Sequence, residues 1–135
     1  MSTLTLEAKI NNIPVLTDFI DQQLEALDCP MKPQMQIDVA VDEIFTNISS
    51  YAYGEGSGTA TVSVDFDDAT RTVTISFEDS GMPFDPLAQE EPDITLPAEQ
   101  RQIGGLGIFL VKKTMDDMRY QRQGDKNVLT IEKRI

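Results

Sequence analysis

The chain has 135 residues, of which 40% are hydrophobic and 25% are charged, and its net charge is −12. This length suits one domain with a buried core, and the acidic balance argues against nucleic acid as a partner, because phosphate backbones are bound by clustered Lys and Arg. The sequence contains no histidine, which excludes a catalytic, metal-ligating or phospho-accepting histidine within these residues.

Cellular location and partner class follow from a few further features. Cys29 is the only cysteine, so no internal disulfide can form, which suits a reducing cytoplasm. No apolar run is long enough to cross a membrane, and the first ten residues alternate rather than forming the apolar block of a signal peptide. We therefore expect a cytoplasmic domain with no membrane or nucleic-acid partner. The charge favours a basic protein partner, and the alternative is that it serves only solubility.

The first half of the chain predicts a strand followed by two helices. Apolar residues alternate over 3–10, as in a half-buried strand. Helical spacing predicts a helix from about 14 to 27, and Pro30 and Pro33 are expected to break the chain before a second helix over 34–53.

The second half predicts two hairpins, separated by a proline-rich loop and one helix. In chain order these are strands at 60–66 and 71–78, the loop at 80–104, a helix at 106–117 and strands at 118–123 and 128–135. A loop of this length in a compact domain is usually functional or disordered. The order predicts one α+β domain over 1–135, a two-layer sandwich with helices on one face of a mixed, mostly antiparallel sheet.

An acid and an amide lie one turn apart on the second predicted helix. Successive residues placed 100° apart put Glu43 and Asn47 at the edge of the apolar arc beside Ala40, whereas Asp42 points to water. The spacing selects Glu43 over Asp42 as a candidate base and pairs it with Asn47 on one face. The alternative is a surface acid and amide that merely flank the apolar stripe.

A carboxylate and a glycine follow the second strand of the first hairpin. Asp79 ends that strand, and Gly81 comes two residues later. Such a carboxylate can accept a hydrogen bond from an exocyclic amine, and the glycine lets a flat ligand lie against the backbone. The alternative is a strand-ending turn, because Asp-Ser-Gly is common in turns.

A glycine-rich segment leads into the third predicted helix. Gly104, Gly105 and Gly107, with Leu106 among them, would bring backbone N–H groups near a ligand at a helix N-terminus, which suits phosphates. No Gly-Lys-Ser/Thr follows, so this is not a Walker loop. Arg101 could reach a terminal phosphate. The alternatives are a flexible hinge and a surface arginine.

These three motifs, in this order, resemble the GHKL ATPase superfamily with its Bergerat nucleotide-binding fold, over roughly residues 36–120. Asp42-Glu43-x3-Asn47 resembles the N box, and Asp79-x-Gly81 resembles the first glycine box. The run that begins Gly105-Leu106-Gly107 resembles the second glycine box of anti-sigma factor serine/threonine kinases of the RsbW type, to which Phe84-Asp85-Pro86 is also similar.

The resemblance implies ATP and Mg²⁺ as cofactors and a role for each motif residue. Asn47 would ligate Mg²⁺ on the phosphates, Glu43 would act as the general base on an incoming hydroxyl, and Asp79 would read the adenine amino group. Residues 83–104 would form the ATP lid. The remaining ATP-binding residues would be Gly81, Arg101, Gly104, Gly105, Leu106 and Gly107.

The implied function is that of an ATP-dependent serine/threonine kinase that is also an anti-sigma factor. It would phosphorylate a small STAS-type anti-anti-sigma protein, sequester a sigma factor and form a homodimer. The alternatives are a nucleotide-dependent switch module without phosphotransfer, and a histidine-kinase-type catalytic domain acting on a separate protein. Two departures affect the geometry: Pro83 replaces a frequent glycine of the first glycine box, and Tyr51 replaces a frequent histidine of the N box.

Overall fold

The computed structural model describes residues 1–54, 56–88 and 105–135. Three helices and five strands account for most of them. In chain order they are β1 (Ser2–Glu7), α1 (Ile13–Ala26), α2 (Met31–Asn47), β2 (Thr59–Asp67), β3 (Thr72–Asp79), α3 (Gly105–Thr114), β4 (Asp117–Gln123) and β5 (Lys126–Arg134). A short π-helical turn, Ile48–Ala52, continues α2, and two 3₁₀ turns lie at Ile10–Asn12 and Pro86–Ala88.

The five strands form one sheet in the order β1-β2-β3-β5-β4. Every pairing in it is antiparallel, so the α+β class is confirmed and the described strands include no parallel pair. The β2–β3 and β4–β5 connections are hairpins, which join antiparallel neighbours directly. The pairing of β3 with β5 places Asp79 opposite Asn127.

The core lies between the three helices and one face of the sheet. Alternate strand residues point into it, as the sequence pattern predicted. The fully buried large side chains are Leu16, Ile20, Leu24, Ile37, Val41, Ile44, Phe45, Val62, Val73, Ile75, Phe77 and Ile131. Because the apolar side of α2 packs in this core, polar groups along the edge of that side can be half-buried at the seam between the helix and the sheet.

The opposite face of the sheet is polar. Hydroxyl groups pair across neighbouring strands, with Thr5 and Thr61 joined at 3.0 Å and Ser76 and Thr130 at 3.2 Å. Cross-strand hydroxyl pairs of this kind stabilise an antiparallel sheet. The sheet therefore needs no second helical layer to satisfy this face.

The start of α2 differs from the sequence prediction. Pro33 was expected to precede the helix, but α2 begins at Met31 and contains it. Proline is tolerated in a first helical turn, because the N–H it lacks would have no intrahelical partner there. The first backbone bond of the helix runs from Gln34 N to Pro30 O at 3.1 Å. The helix also ends earlier, at Asn47, where the π-helical turn takes over.

In the part of the chain that the structure describes, none of the helices combines the length and apolar character that a membrane crossing requires.

Candidate functional site

The C-terminal half of α2 carries the predicted acid and amide. Glu43 and Asn47 are both half-buried, whereas Asp42 is exposed, as the helical spacing predicted. Asn47 Nδ2 donates a hydrogen bond to the backbone oxygen of Glu43 at 3.0 Å. This bond engages the amide nitrogen, and the described residues make no hydrogen bond to Oδ1, so the oxygen is the atom that Asn47 can offer to a ligand.

The pKa of Glu43 is raised above its ordinary value. Burial of the carboxyl group is the main cause, and the neighbouring Asp42 charge adds to it. Both effects disfavour the ionised form. A carboxyl group with a raised pKa binds a proton more readily, which suits a general base.

Helix α3 brings its glycine against this acid. A Cβ atom at Gly107 would overlap the Glu43 carboxyl group, so only glycine fits there with Glu43 in its present position. The second glycine motif and the N-box acid therefore form one local structure. The sequence predicted both motifs, but not this contact.

Asp79 lies at the end of β3, where it is 6% exposed. Its Oδ1 atom accepts hydrogen bonds from Gly81 N and from Asn127 Nδ2, each at 2.9 Å. Both bonds that the described residues make to this carboxylate end on Oδ1. Oδ2 therefore remains as an acceptor for a ligand donor such as an exocyclic amine.

Gly81 packs against the π-helical turn that follows α2. A Cβ atom at Gly81 would overlap the backbone of Ala52, and Met82 N donates a hydrogen bond to Ala52 O at 2.8 Å. The side chain of Tyr53 links the segment after α2 to the turn that follows β3. Its hydroxyl donates to Thr59 O at 2.5 Å and accepts from Ser80 N at 2.9 Å. These contacts hold residues 79–82, which we call the Asp79 corner, against the turn that follows α2.

Asn127, on β5, contacts several groups of the candidate site and was not predicted from the sequence. Besides its bond to Asp79, Asn127 Nδ2 donates to Met82 O at 2.8 Å. Its Oδ1 atom accepts from Phe84 N at 3.4 Å and from the hydroxyl of Tyr120. Asn127 thus fixes the Asp79 carboxylate and the chain that leaves it. A polar residue at an inward position of an alternating strand was the pattern that could have identified it.

Arg122, the cross-strand neighbour of Asn127, was also missed. Its Nη1 atom donates to Asn127 Oδ1 at 3.2 Å and to Gly81 O at 2.8 Å. A charged donor strengthens such bonds. The Arg122 guanidinium therefore links Gly81 to Asn127.

A mostly apolar cavity with about 30 Å³ of free volume, partly open to solvent, lies between these elements. This volume is well below the roughly 300–1,000 Å³ of ordinary small-molecule sites, although a few polar groups among apolar walls are typical of such sites. Asn47 lines it from α2 and Asn127 from β5. The full lining comprises Ile44, Asn47, Ile48, Ala52, Phe84, Pro86, Ile108, Tyr120, Asn127 and Leu129.

An aromatic pair adds to this region. The rings of Tyr51 and Phe84 stack with centroids 5.6 Å apart and planes 25° apart. Phe84 belongs to the start of the predicted lid, of which only 83–88 is described. Tyr51, where a histidine was expected from the resemblance, is thus engaged in packing against that segment.

The structure brings some of the predicted site residues together, and others lie outside the described residues. Glu43, Asn47, Asp79, Gly81 and Gly107 lie around the cavity or against residues that line it. Gly105 and Leu106 begin α3. Arg101, Gly104 and most of the predicted lid lie outside the described residues.

The donor set is compatible with a hard cation held jointly with a ligand. Within the described ranges, no group of three or more acidic or cysteine side chains could hold a metal by itself. The Asn47 amide oxygen is a suitable single ligand for Mg²⁺, which is normally bound by one or two protein oxygens together with substrate phosphates.

The comparisons with known proteins agree with this arrangement. The model of the family described as histidine kinase-like ATPase domain matches residues 6–133. Among curated proteins, no significant match was found.

Two solved structures are similar in fold. The RsbU and RsbW domains of Rv1364c from Mycobacterium tuberculosis match with a TM-score of 0.64 and 14% identity, over 99% of this chain and 32% of that one. The histidine kinase domain of the Erythrobacter litoralis EL346 blue-light activated histidine kinase matches with a TM-score of 0.53 and 15% identity, over 77% of this chain and 45% of that one. The chain thus spans less than half the length of either. By the family match over residues 6–133, it belongs to the histidine kinase-like ATPase domain family of the GHKL type.

Proposed function

We propose that the protein binds ATP with Mg²⁺ and transfers the γ-phosphoryl group to a serine or threonine hydroxyl of a partner protein. The partner would be a small STAS-type anti-anti-sigma protein, and the kinase would sequester a sigma factor as a homodimer. The similarity to a structure that contains an RsbW domain supports this choice among the activities of the family.

Adenine recognition is assigned to the Asp79 corner. The free Oδ2 atom of Asp79 would accept a hydrogen bond from the adenine amino group, while Asn127 and Gly81 hold the carboxylate through Oδ1. The apolar cavity walls would cover the faces of the base. A guanine base presents a carbonyl where adenine has the amine, so it would place an acceptor against an acceptor.

Phosphate positioning is assigned to the other side of the cavity. Asn47 would hold Mg²⁺ through Oδ1, and that ion would neutralise charge that develops on the phosphates. The N-terminus of α3, with Gly105 and Gly107, would offer backbone N–H groups to the phosphates. Arg101 and Gly104 complete the proposed phosphate contacts.

Proton removal is assigned to Glu43. Its carboxylate would accept the hydroxyl proton while the hydroxyl oxygen bonds to the γ-phosphorus atom. The bond between that phosphorus and the β–γ bridging oxygen breaks, and ADP leaves with the bond electrons. Catalysis otherwise consists of positioning.

One observation carries the proposal. Glu43, with its raised pKa, lies against Gly107 and one turn before Asn47, which lines the same cavity as the Asp79-bound Asn127. A switch module that only binds nucleotide needs the cavity and Asp79. It has no need of a half-buried acid beside the N-terminus of α3.

The test is a transfer assay with radiolabelled ATP, Mg²⁺ and a purified STAS-type protein. We expect acid-stable phosphate on the partner, and a fall of at least about 100-fold in the transfer rate with Glu43→Gln, with ATP affinity retained. Asp42→Asn, an exposed neighbour, is the matched control and should remain active. Undiminished transfer by Glu43→Gln would refute the base assignment, and binding of ATP without transfer would favour the switch module. An acid-labile product would instead favour a histidine-kinase-type domain.

A further inference from the structure

The exposed face of α2 carries three large apolar side chains that the core does not use. Met31, Met35 and Val39 are 77%, 61% and 56% exposed, respectively. They recur every four residues and therefore form one stripe along the helix, which we call the α2 stripe. Contiguous exposed apolar surface of this kind marks interaction sites more often than isolated exposed side chains do.

The α2 stripe runs toward the proposed catalytic acid. The next position in the same four-residue series is Glu43, which follows Val39 by one turn. From Met31 to Glu43 the helix rises about 18 Å. A bound segment of five or six extended residues, at roughly 3.3 Å each, could therefore contact the whole stripe and still place its end beside Glu43.

Charge along this face defines the chemistry of the occupant. Asp42 is exposed beside Val39, and Lys32 is the only cation in α2. The whole chain has a net charge of −12. A second copy of this chain would bring the same negative charge to the face, whereas a segment with Lys or Arg beside apolar residues would complement it.

Methionine suits such a surface. Its unbranched side chain adapts to different apolar neighbours and is common on surfaces that bind flexible partners. Two of the three stripe residues are methionines, and neither is among the residues that fill the core.

We propose that the α2 stripe is the docking surface for the substrate protein, through a segment that combines apolar side chains with Lys or Arg. This proposal rests on the proposed kinase function, because it supplies the surface that directs a partner hydroxyl toward Glu43. The apolar contacts provide affinity, and the exposed Asp42 together with the net negative charge of the chain selects a basic segment.

The test uses labelled synthetic peptides and fluorescence anisotropy without nucleotide. One peptide alternates Leu and Lys, so that an extended segment presents Leu on one face, and a second replaces each Leu by Ser. The wild-type protein should bind the Leu/Lys peptide at least about tenfold more tightly than the Ser/Lys peptide. The double variant Met35→Gln, Val39→Gln should lose this preference, whereas Ile10→Gln, at a side chain with 57% exposure on a different element, should keep it.

Equal affinity of the wild-type protein for both peptides, or an unchanged preference in the double variant, would overturn the proposal. Sedimentation velocity adds an independent outcome: if the double substitution dissociates a wild-type dimer, the stripe is a self-contact and the proposal fails. Thermal melting verifies that the variants fold. A parallel ATP titration keeps the two proposals separate, because loss of ATP binding would refute the kinase function whether or not the peptide preference depends on the stripe.

Discussion

The Glu43 carboxyl group lies against the Cα atom of Gly107, in space that any larger residue at position 107 would need. This contact joins α2 to α3, and so joins the proposed base to the helix that would bind the phosphates. The glycine leaves room for the present position of the neighbouring acid, and no left-handed backbone angle at position 107 calls for it.

Substitution of Gly107 by Ala should therefore displace Glu43. Misplacement of a catalytic group by about 1 Å can lower a rate roughly 100-fold, so we expect a loss of that order in phosphoryl transfer. Steady-state kinetics measure it, with ATP affinity as the second readout and Leu110→Ala, at an exposed position of the same helix, as the control. A fully active Gly107→Ala protein would mean that Glu43 needs no fixed position.

The acid limb of the pH–rate profile should depend on Asp42. Burial and the Asp42 charge both raise the pKa of Glu43, and a base must be ionised to accept a proton. Transfer should thus decline as the pH falls through this raised pKa. Asp42→Asn removes one of the two causes, so its profile should extend to lower pH than that of the wild-type protein. If the acid limb of Asp42→Asn lies at the same pH as that of the wild-type protein, or at a higher pH, ionisation of Glu43 does not control the rate.

Asn127 should support both nucleotide affinity and stability. Asn127→Ala removes a hydrogen-bond donor to Asp79 and to Met82 O, and a buried polar group that loses its partner costs about 1–3 kcal/mol. We expect a lower melting temperature and ATP affinity weakened by about tenfold or more. Calorimetry measures both effects, and Gln121→Ala, exposed on β4, is the control. Wild-type affinity in Asn127→Ala would remove Asn127 from the account of base recognition.

The site illustrates how much the sequence could predict. Helical spacing correctly placed Glu43 and Asn47 at a half-buried edge, because an i,i+4 pair keeps its direction whatever the helix packs on. Asn127 was missed because its role comes from its opposition to Asp79 across β3 and β5, a pairing of residues 48 positions apart. Local patterns do not encode such a register.

In the fold, too, local features could be predicted from the sequence, whereas features that depend on tertiary contacts could not. The hairpins and helices follow from local periodicity, and they were predicted within a few residues. Pro33 was misjudged as a break because a proline can equally start a helix, and only the packing of Ile37 and Ala40 in the core decides between the two. The contact of Gly107 with Glu43 was likewise beyond local reasoning, since it depends on how α3 lies against α2.

A half-buried carboxyl group should make stability depend on pH. Asp38, between α1 and α2, has a pKa raised to about 7 by burial and by the neighbouring Asp21 carboxyl group. Its Oδ1 atom is buried and has no hydrogen-bond partner among the described residues. A carboxyl group with a raised pKa stabilises the fold fully below its unfolded pKa, and that contribution is lost as the pH rises through about 7.

Asp38→Asn should therefore stabilise the protein at about pH 8 and have little effect at about pH 4. Because the residue is partly exposed, solvent screening limits the gain to about 1 kcal/mol. Thermal unfolding at the two pH values measures the difference, with the exposed Asp42→Asn as the comparison on the same helix. Equal shifts at both pH values, or destabilisation at the higher one, would contradict this assignment.

The most direct test of the whole account is isothermal titration of ATP, with and without Mg²⁺, into the wild-type protein and Asp79→Asn. The account predicts Mg²⁺-dependent binding by the wild-type protein, and its loss in Asp79→Asn, because the amide cannot present two acceptor oxygens to Asn127 and to adenine. Absence of binding by correctly folded wild-type protein, or equal binding by the variant, would contradict the nucleotide site on which the proposed function depends.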